Sequence, residues 1–186
     1  MILEGIVTTI GEDGKLNVAP MGPIVDESMS TLHLRPFQTS TTYANLKFHA
    51  EGVLHVVDDV LLLAQAAIGQ LSDVPATQPA EVVDGRVLTS ACRWYEFRVR
   101  TLDDSEERTS IHADVVHSGR LRDFFGFNRA KHAVLEAAIL ATRIHILPHD
   151  EIAAQMNALR VIVDKTAGSQ EFAAFELLEN YVAKSD

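Results

Sequence analysis

The segment 35–46, with the sequence RPFQTSTTYANL, concentrates side chains that suit an anionic group. Four consecutive hydroxyl residues occupy 39–42, preceded by Arg35 and followed by the amide of Asn45. A guanidinium is a planar donor that suits phosphate, and the start of a helix adds free amides and a partial positive charge. These are the parts of a phosphate site, although an ordinary Ser/Thr turn before a capped helix uses the same residues.

A second segment, 17–22 with the sequence NVAPMG, places small residues at the end of a predicted strand. Pro20 removes a backbone donor and Gly22 removes a side chain, so a flat ligand could lie against the backbone here. A strand that simply ends in a turn would have the same composition. Taken alone, this segment therefore favours the plain structural interpretation.

Four charged side chains of the C-terminal part recur at helical spacing on an otherwise apolar segment: Arg129, His132, Glu136 and Arg143. They form one stripe of the predicted helix. The stripe could grip an anionic substrate at the edge of a pocket, or it could form an internal salt-bridge network that locks the helices to the rest of the fold. The sequence favours the network.

Just before that helix, four basic residues cluster around one acid, Asp123: they are Arg120, Arg122, Arg129 and Lys131. Such a cluster could receive a phosphate-bearing or pterin-like ligand, or it could pair with acidic helices of the same chain. The second interpretation is favoured. The eight histidines show no metal-ligand spacing, and the single cysteine, Cys92, is expected to be a buried strand thiol. We therefore predict no metal site.

The elements that must position these residues follow from periodicity and turn signals. Strands alternate with two short helices through the first two thirds, beginning with a hairpin that turns at Asp13-Gly14. Residues 70–85 read as a loop, and three helices follow from about residue 128. We predict a mainly β plus α fold built on a six-stranded antiparallel barrel. The barrel forms a domain over residues 1–118, and a helical subdomain over residues 119–186 packs on it.

Composition narrows the function classes. The 186 residues carry a net charge of −10, which disfavours nucleic acid, and no apolar run approaches the ~20 residues of a membrane span. The N-terminus lacks the pattern of a signal peptide, and one cysteine excludes an intrachain disulfide. We expect a cytoplasmic protein that binds a small molecule.

Together, the segments NVAPMG and RPFQTSTTYANL resemble the FMN-binding split barrel of the flavin reductases and pyridoxamine-phosphate-oxidase-like proteins. Thr42 and Asn45 stand where flavin reductases have a D-T-x-x-N motif, although Thr41 replaces the acidic residue. With HVVDDVLLLAQAA (55–67) and FNRAKHAVLEAAILATR (127–143), the chain resembles more closely a branch of that superfamily with a helical C-terminal extension. That branch occurs mainly in archaea and in some bacteria with tetrahydromethanopterin genes.

The resemblance implies FMN at the interface of a homodimer. Arg35 and the turn of Ser40, Thr41 and Thr42 would hold its phosphate, and Asn45 would brace that turn. The flavin ring would lie against the strand end, whose candidate binding residues are Asn17, Ala19, Pro20, Met21 and Gly22.

The resemblance also implies function. It favours a flavoprotein oxidoreductase that passes a hydride or electrons through flavin N5, with a small-molecule substrate and a nicotinamide or deazaflavin donor. The genes that occur together with members of this branch suggest a link to tetrahydropterin or one-carbon metabolism. The alternatives are a non-catalytic FMN carrier and a flavin-less barrel that binds another anion. No catalytic residue is evident.

Overall fold

The computed structural model describes residues 1–71 and 73–184. Within this part of the chain, the contacts form two compact units, Met1–Val57 with Pro75–Phe124 and Asp58–Val74 with Phe125–Asp186. These bounds differ from those of the two predicted domains, because residues 58–74 group with the C-terminal helices. The first unit is mainly β and the second is helical.

The elements of the first unit follow the predicted order, with two additions. A two-residue strand at Ile24–Val25 joins the main sheet, which therefore has seven strands rather than the predicted six. Two short strands pair in the segment expected to be a loop. The elements are β1 (Gly5–Ile10), β2 (Leu16–Met21), β3 (Ile24–Val25), β4 (Thr31–Leu34), α1 (Thr41–His49), β5 (Glu51–Val56), β6 (Thr77–Pro79), β7 (Arg86–Leu88), β8 (Arg93–Asp103) and β9 (Ser110–Arg120).

Seven of these strands form one antiparallel sheet in the order β2-β1-β5-β8-β9-β4-β3. Its terminal strand β3 also bonds to the segment that precedes β1, because Ile2 bridges Ile24 and Leu3 N donates to the Pro23 carbonyl at 3.1 Å. The sheet thus curls back toward its own start. This is the antiparallel split-barrel architecture that the sequence predicts, and it leaves few free strand edges.

The core of this unit is a cluster of apolar side chains on the inner face of the sheet. Phe97, the largest of them, is fully buried against a Gly52 that has no room for a β-carbon, since one would lie 2.6 Å from the Phe97 ring. The other buried members come from five strands and α1, and they include Val7, Leu32, Leu34, Leu54, Ile111 and Leu46. Alternation along β4 and β9 turns the intervening residues outward.

The helical unit contains α2 (Val60–Ala67), α3 (Arg129–Ala141), α4 (His149–Thr166) and α5 (Ser169–Ala183). Asp59 caps α2 and accepts from Leu62 N at 3.0 Å. Helices α2, α3 and α5 contact one another and bury a shared apolar core that includes Val134, Phe175 and Leu178. No helix among the described residues is both long and apolar enough to cross a membrane.

Candidate functional site

The start of α1 presents free backbone donors. Ser40 is the N-cap: its Oγ accepts from Tyr43 N at 3.2 Å and donates to the Phe37 carbonyl at 2.8 Å. The amides of Thr41 and Thr42 have no backbone acceptor among the described residues. These unpaired donors and the helix dipole make the first turn attractive to an anion.

A buried polar network fixes α1 against the first hairpin. Thr9 Oγ1 on β1 accepts from Asn45 Nδ2 at 3.0 Å and from Asn17 Nδ2 at 3.3 Å, and Asn17 also donates to Thr42 Oγ1 at 3.1 Å. Thr9, Thr42 and Asn45 are all buried. The structure thus brings three predicted site residues together. Thr42 is 2% exposed and its Oγ1 already accepts from Asn17, so the side chain of Thr42 belongs to this network.

Arg35 follows β4 and carries an unsatisfied donor. Its Nε is buried and has no hydrogen-bond partner among the described residues. A buried guanidinium nitrogen without an acceptor is costly, so it indicates a missing anionic or polar partner. Lys47, a cation on α1, already has an ion-pair partner, because its Nζ lies 2.7 Å from Asp104 Oδ2. Hydrogen bonding to Asp104 raises the pKa of Lys47, so this lysine stays charged and paired.

Sequence reasoning missed Arg108 and Thr9. The backbone of Arg108 forms an isolated antiparallel β-bridge with Phe37, and its Cζ lies 5.5 Å from the centroid of the Phe37 ring. Its Nε donates to the Arg35 carbonyl at 3.2 Å. It is 73 residues from Arg35 in the chain, so only the strand pairing reveals the contact. Thr9 looked like one of several β-branched residues of a strand, and no local signal marks it as the acceptor of two asparagines.

The strand end expected to face a flavin ring lies at the far end of β2. Ala19, Pro20 and Met21 are half-buried, and β2 is an edge of the sheet, where proline is tolerated. From Asn17 to Met21 the strand extends about 13 Å. Gly22 lies next to the carboxylate of Glu4, since a β-carbon at Gly22 would lie 2.6 Å from Glu4 Oε1.

A shallow depression lies beside α1, with a volume of about 420 Å³. Asn45 is the one predicted site residue in its lining, which also contains Glu12, Tyr43, Ala44, Lys47 and Phe48. Tyr43 Oη donates to Asp104 Oδ2 at 2.6 Å, so this wall is held in place by the turn between β8 and β9. The depression itself is an open surface rather than an enclosed cavity.

The charged stripe of α3 does not form the expected internal network. Its four side chains are exposed, and no ion pair joins them among the described residues. The prediction of an internal salt-bridge network at Arg129, His132, Glu136 and Arg143 is therefore wrong. The helix buries its alanines and Val134 instead, and the stripe is its solvated face.

The basic cluster before α3 pairs mostly within the chain, as favoured from the sequence. Arg120 lies 3.0 Å from Asp123, and Lys131 Nζ lies 2.7 Å from Glu171 on α5 in a largely buried ion pair. Burial opposes ionisation of Glu171, but Lys131 and the amide of Gly168 outweigh it and lower its pKa. Cys92 is buried, and the described residues contain no group of three potential metal ligands.

Family comparison adds to this geometry. The model of the N-terminal domain of DUF447, a protein of unknown function, matches residues 3–122, and the DUF447 C-terminal model matches residues 128–180. The chain belongs to the DUF447 family. No curated protein matches its sequence.

Solved structures extend the comparison. The crystal structure of an FMN-bound DUF447 protein from Methanosarcina mazei is 25% identical, covers 97% of this chain and 94% of its own, and superposes with a TM-score of 0.82. The flavin reductase of a styrene monooxygenase from Pseudomonas putida (14% identity, 64% and 82% coverage, TM-score 0.52) shares the fold. So does flavoredoxin from Methanosarcina acetivorans (10%, 64% and 68%, 0.54).

Proposed function

We propose that this DUF447 protein is a cytoplasmic, homodimeric FMN-binding flavoprotein that acts as an oxidoreductase. The structural match to an FMN-bound member of the same family, over nearly the whole of both chains, supports the cofactor. The observation in this chain that carries the proposal is the buried, unpartnered Nε of Arg35. Although the chain has a net charge of −10, a buried cationic donor without an acceptor is stabilised when it binds an anion.

The residues present fit the phosphate of FMN. Arg35 supplies a guanidinium donor, and the first turn of α1 supplies the unpaired amides of Thr41 and Thr42 and the positive end of the helix dipole. Asn45 and Asn17 would act indirectly, because their bonds to Thr9 and Thr42 hold α1 at a fixed place on β1. A rigid helix start is the condition for precise anion binding.

The flavin ring is assigned to the end of β2, at Ala19, Pro20, Met21 and Gly22. This edge strand presents half-buried small residues and one position without an amide hydrogen. When bound, FMN supplies a hydride and electron acceptor at N5. The chain contributes binding and orientation: α1 holds the phosphate end, while β2 fixes the ring relative to it.

A second subunit would complete the site. The end of β2 is half-buried on an edge strand of the sheet, so one face of a ring bound there would remain in water. Closing that face excludes solvent and strengthens each polar contact to the cofactor. The substrate would be a small molecule, with a nicotinamide or a reduced deazaflavin as electron donor, and tetrahydropterin metabolism is a candidate setting.

The phosphate assignment is tested by titrating FMN and riboflavin into the wild-type protein and R35Q, with quenching of flavin fluorescence as the readout. We expect R35Q to weaken FMN binding about tenfold or more and to leave riboflavin binding unchanged, because riboflavin lacks the phosphate. R86Q, which removes an exposed arginine of β7, is the matched control and should bind FMN like the wild type. Equal FMN affinity in R35Q and R86Q would refute the assignment.

The oxidoreductase part has a separate test. The FMN-loaded protein is mixed with NADH, NADPH or a reduced deazaflavin and an artificial acceptor. We expect steady-state turnover with one of these donors. Saturable FMN binding without turnover with any of them would instead support a non-catalytic carrier.

A further inference from the structure

Two histidines face each other on the outer side of the barrel, beside Arg35. His33 on β4 and His112 on β9 are direct register partners, and their rings stack with centroids 4.3 Å apart and planes 13° apart. The neighbouring residues Leu32, Leu34, Ile111 and Ala113 point into the core, so alternation places both imidazoles on the opposite face. Both rings are half-buried.

The pair stands in a locally positive setting. The pKa of His33 is lowered by burial, and also by the nearby His112 and Arg35, so these three groups interact electrostatically. Burial and these two neighbours therefore disfavour protonation of the His33 ring. An arrangement that raises the electrostatic energy of the empty protein is typical of a binding site.

The carboxylates of this face have partners of their own. On β9, Asp114 is ion-paired with Arg100 at 3.0 Å, and on β8 Asp103 accepts from Ser105 N at 3.0 Å. Arg108, whose Nε donates to the Arg35 carbonyl, adds a second cation at the Arg35 end. The cross-strand neighbours are uncharged: Ser110, Thr101 opposite His112, and Ile24 opposite His33. His33 Nε2 is within 2.9 Å of Ser110 Oγ, which fixes the orientation of that ring.

His112 has free hydrogen-bonding capacity. Among the described residues, its ring nitrogens have no hydrogen-bond partner, and its recorded contact is the stack with His33. Close to it, the Nε of Arg35 is also unpartnered. The cluster thus contains the fixed cation of Arg35, two stacked imidazoles, and polar groups without a partner among the described residues.

We propose that His33 and His112 extend the anion site of Arg35 and strengthen binding of a phosphate ester when an imidazole is protonated. The inference rests on the proposed function, because the phosphate in question is that of FMN. His112 is the ring that would contact the phosphate, since its nitrogens have no partner among the described residues, while His33 positions it through the stack and the bond to Ser110. The protein then holds FMN more tightly in mildly acid solution than in alkaline solution.

The test is the dissociation constant of FMN between pH 6.5 and 8.5 for the wild type, H112Q, H33Q and the control H145Q, which alters an exposed histidine of the helical unit. Wild-type affinity should rise about threefold to tenfold towards pH 6.5, as expected for one added charge near a phosphate. H112Q should match the wild type at pH 8.5 and lose this rise. H145Q should keep the rise, and riboflavin should show none.

Protonation of the FMN phosphate near pH 6 works in the opposite direction, but it is the same for every variant.

A second measurement uses the intact protein, namely the NMR titration of the His112 ring with and without FMN. Bound FMN should raise the pKa of His112. If FMN binds and H112Q retains the wild-type pH profile, or the His112 titration does not move, the inference is wrong and the flavoprotein proposal stands. If the wild type binds no FMN, both fall.

Discussion

Among single side chains, His55 shows how burial sets a protonation state. This residue of β5 is fully buried, and it is close to two backbone groups: Nδ1 is 3.1 Å from the Ile6 carbonyl, and Nε2 is 3.1 Å from Leu88 N. The tautomer with its proton on Nδ1 donates to the carbonyl and accepts from the amide. A proton added to Nε2 would face the amide of Leu88, so the neutral ring is required.

We therefore predict an acid-sensitive barrel. Burial lowers the pKa of His55 from 6.5 to about 4, against a smaller opposing effect of the Ile6 carbonyl. Because the folded pKa lies below the unfolded one, this stabilisation is present above pH 6.5 and is lost as pH falls towards 4. The free energy of unfolding should drop by up to about 3 kcal/mol over that range.

The measurement is urea unfolding at several pH values, followed by the fluorescence of Trp94. This lone tryptophan is buried on β8 and reports on the barrel unit. H55Q should be less stable at pH 7 and should show a shallower loss between pH 6.5 and 5 than the exposed-site variant H145Q. An identical slope in H55Q and H145Q would rule out His55 as the source.

Single residues also show what sequence can and cannot reveal about the site. Arg35 and Asn45 were found because both lie in one dense polar segment, and the structure gives each a distinctive environment. Arg108 and Thr9 were missed because their partners are distant in the chain. The buried Asn17 bond to Thr42 likewise depends on the packing of α1, which no local pattern encodes.

At the level of elements, the buried amide of Asn45 is one of two side-chain links between α1 and the hairpin, with the Asn17–Thr42 bond as the other. We predict that N45A lowers the free energy of unfolding by about 1–3 kcal/mol, because Thr9 loses a donor in a site closed to water. FMN affinity should fall as well, since the start of α1 is no longer held in place.

The matched control is N157A, which removes the same group from an exposed position of α4 and should change stability by less than about 0.5 kcal/mol. Denaturant unfolding followed by Trp94 fluorescence gives the first quantity, and flavin quenching gives the second. Equal unfolding midpoints for N45A and N157A would show that the buried network does not anchor the helix.

The strands and helices themselves were largely predictable, because hairpin turns, caps and periodicity are local signals. The exceptions have non-local causes. β6 and β7 lie in a Pro-rich segment expected to be a loop, and their loop is held by Glu96, a buried carboxylate that accepts from the amides of Glu81, Val82 and Val83. A register shift between Glu96 and Phe97 buries both residues, which breaks the alternation of β8.

For the whole molecule, the main prediction concerns assembly. The chain has a mass of 20.4 kDa, and we expect light scattering of the purified protein at micromolar concentration to give about twice this value. The physical reason is the open site, which a second copy would cover. A mass equal to one chain, with and without FMN, would contradict the dimeric site.

The central claim is that this chain binds FMN, and an FMN titration of the wild-type protein followed by flavin fluorescence tests it most directly. The account predicts saturable quenching at one FMN per chain, with riboflavin bound more weakly because Arg35 and the start of α1 would find no phosphate. Absence of binding at tens of micromolar FMN would contradict it. The barrel would stand, but its unpartnered arginine would then belong to a site for another anion.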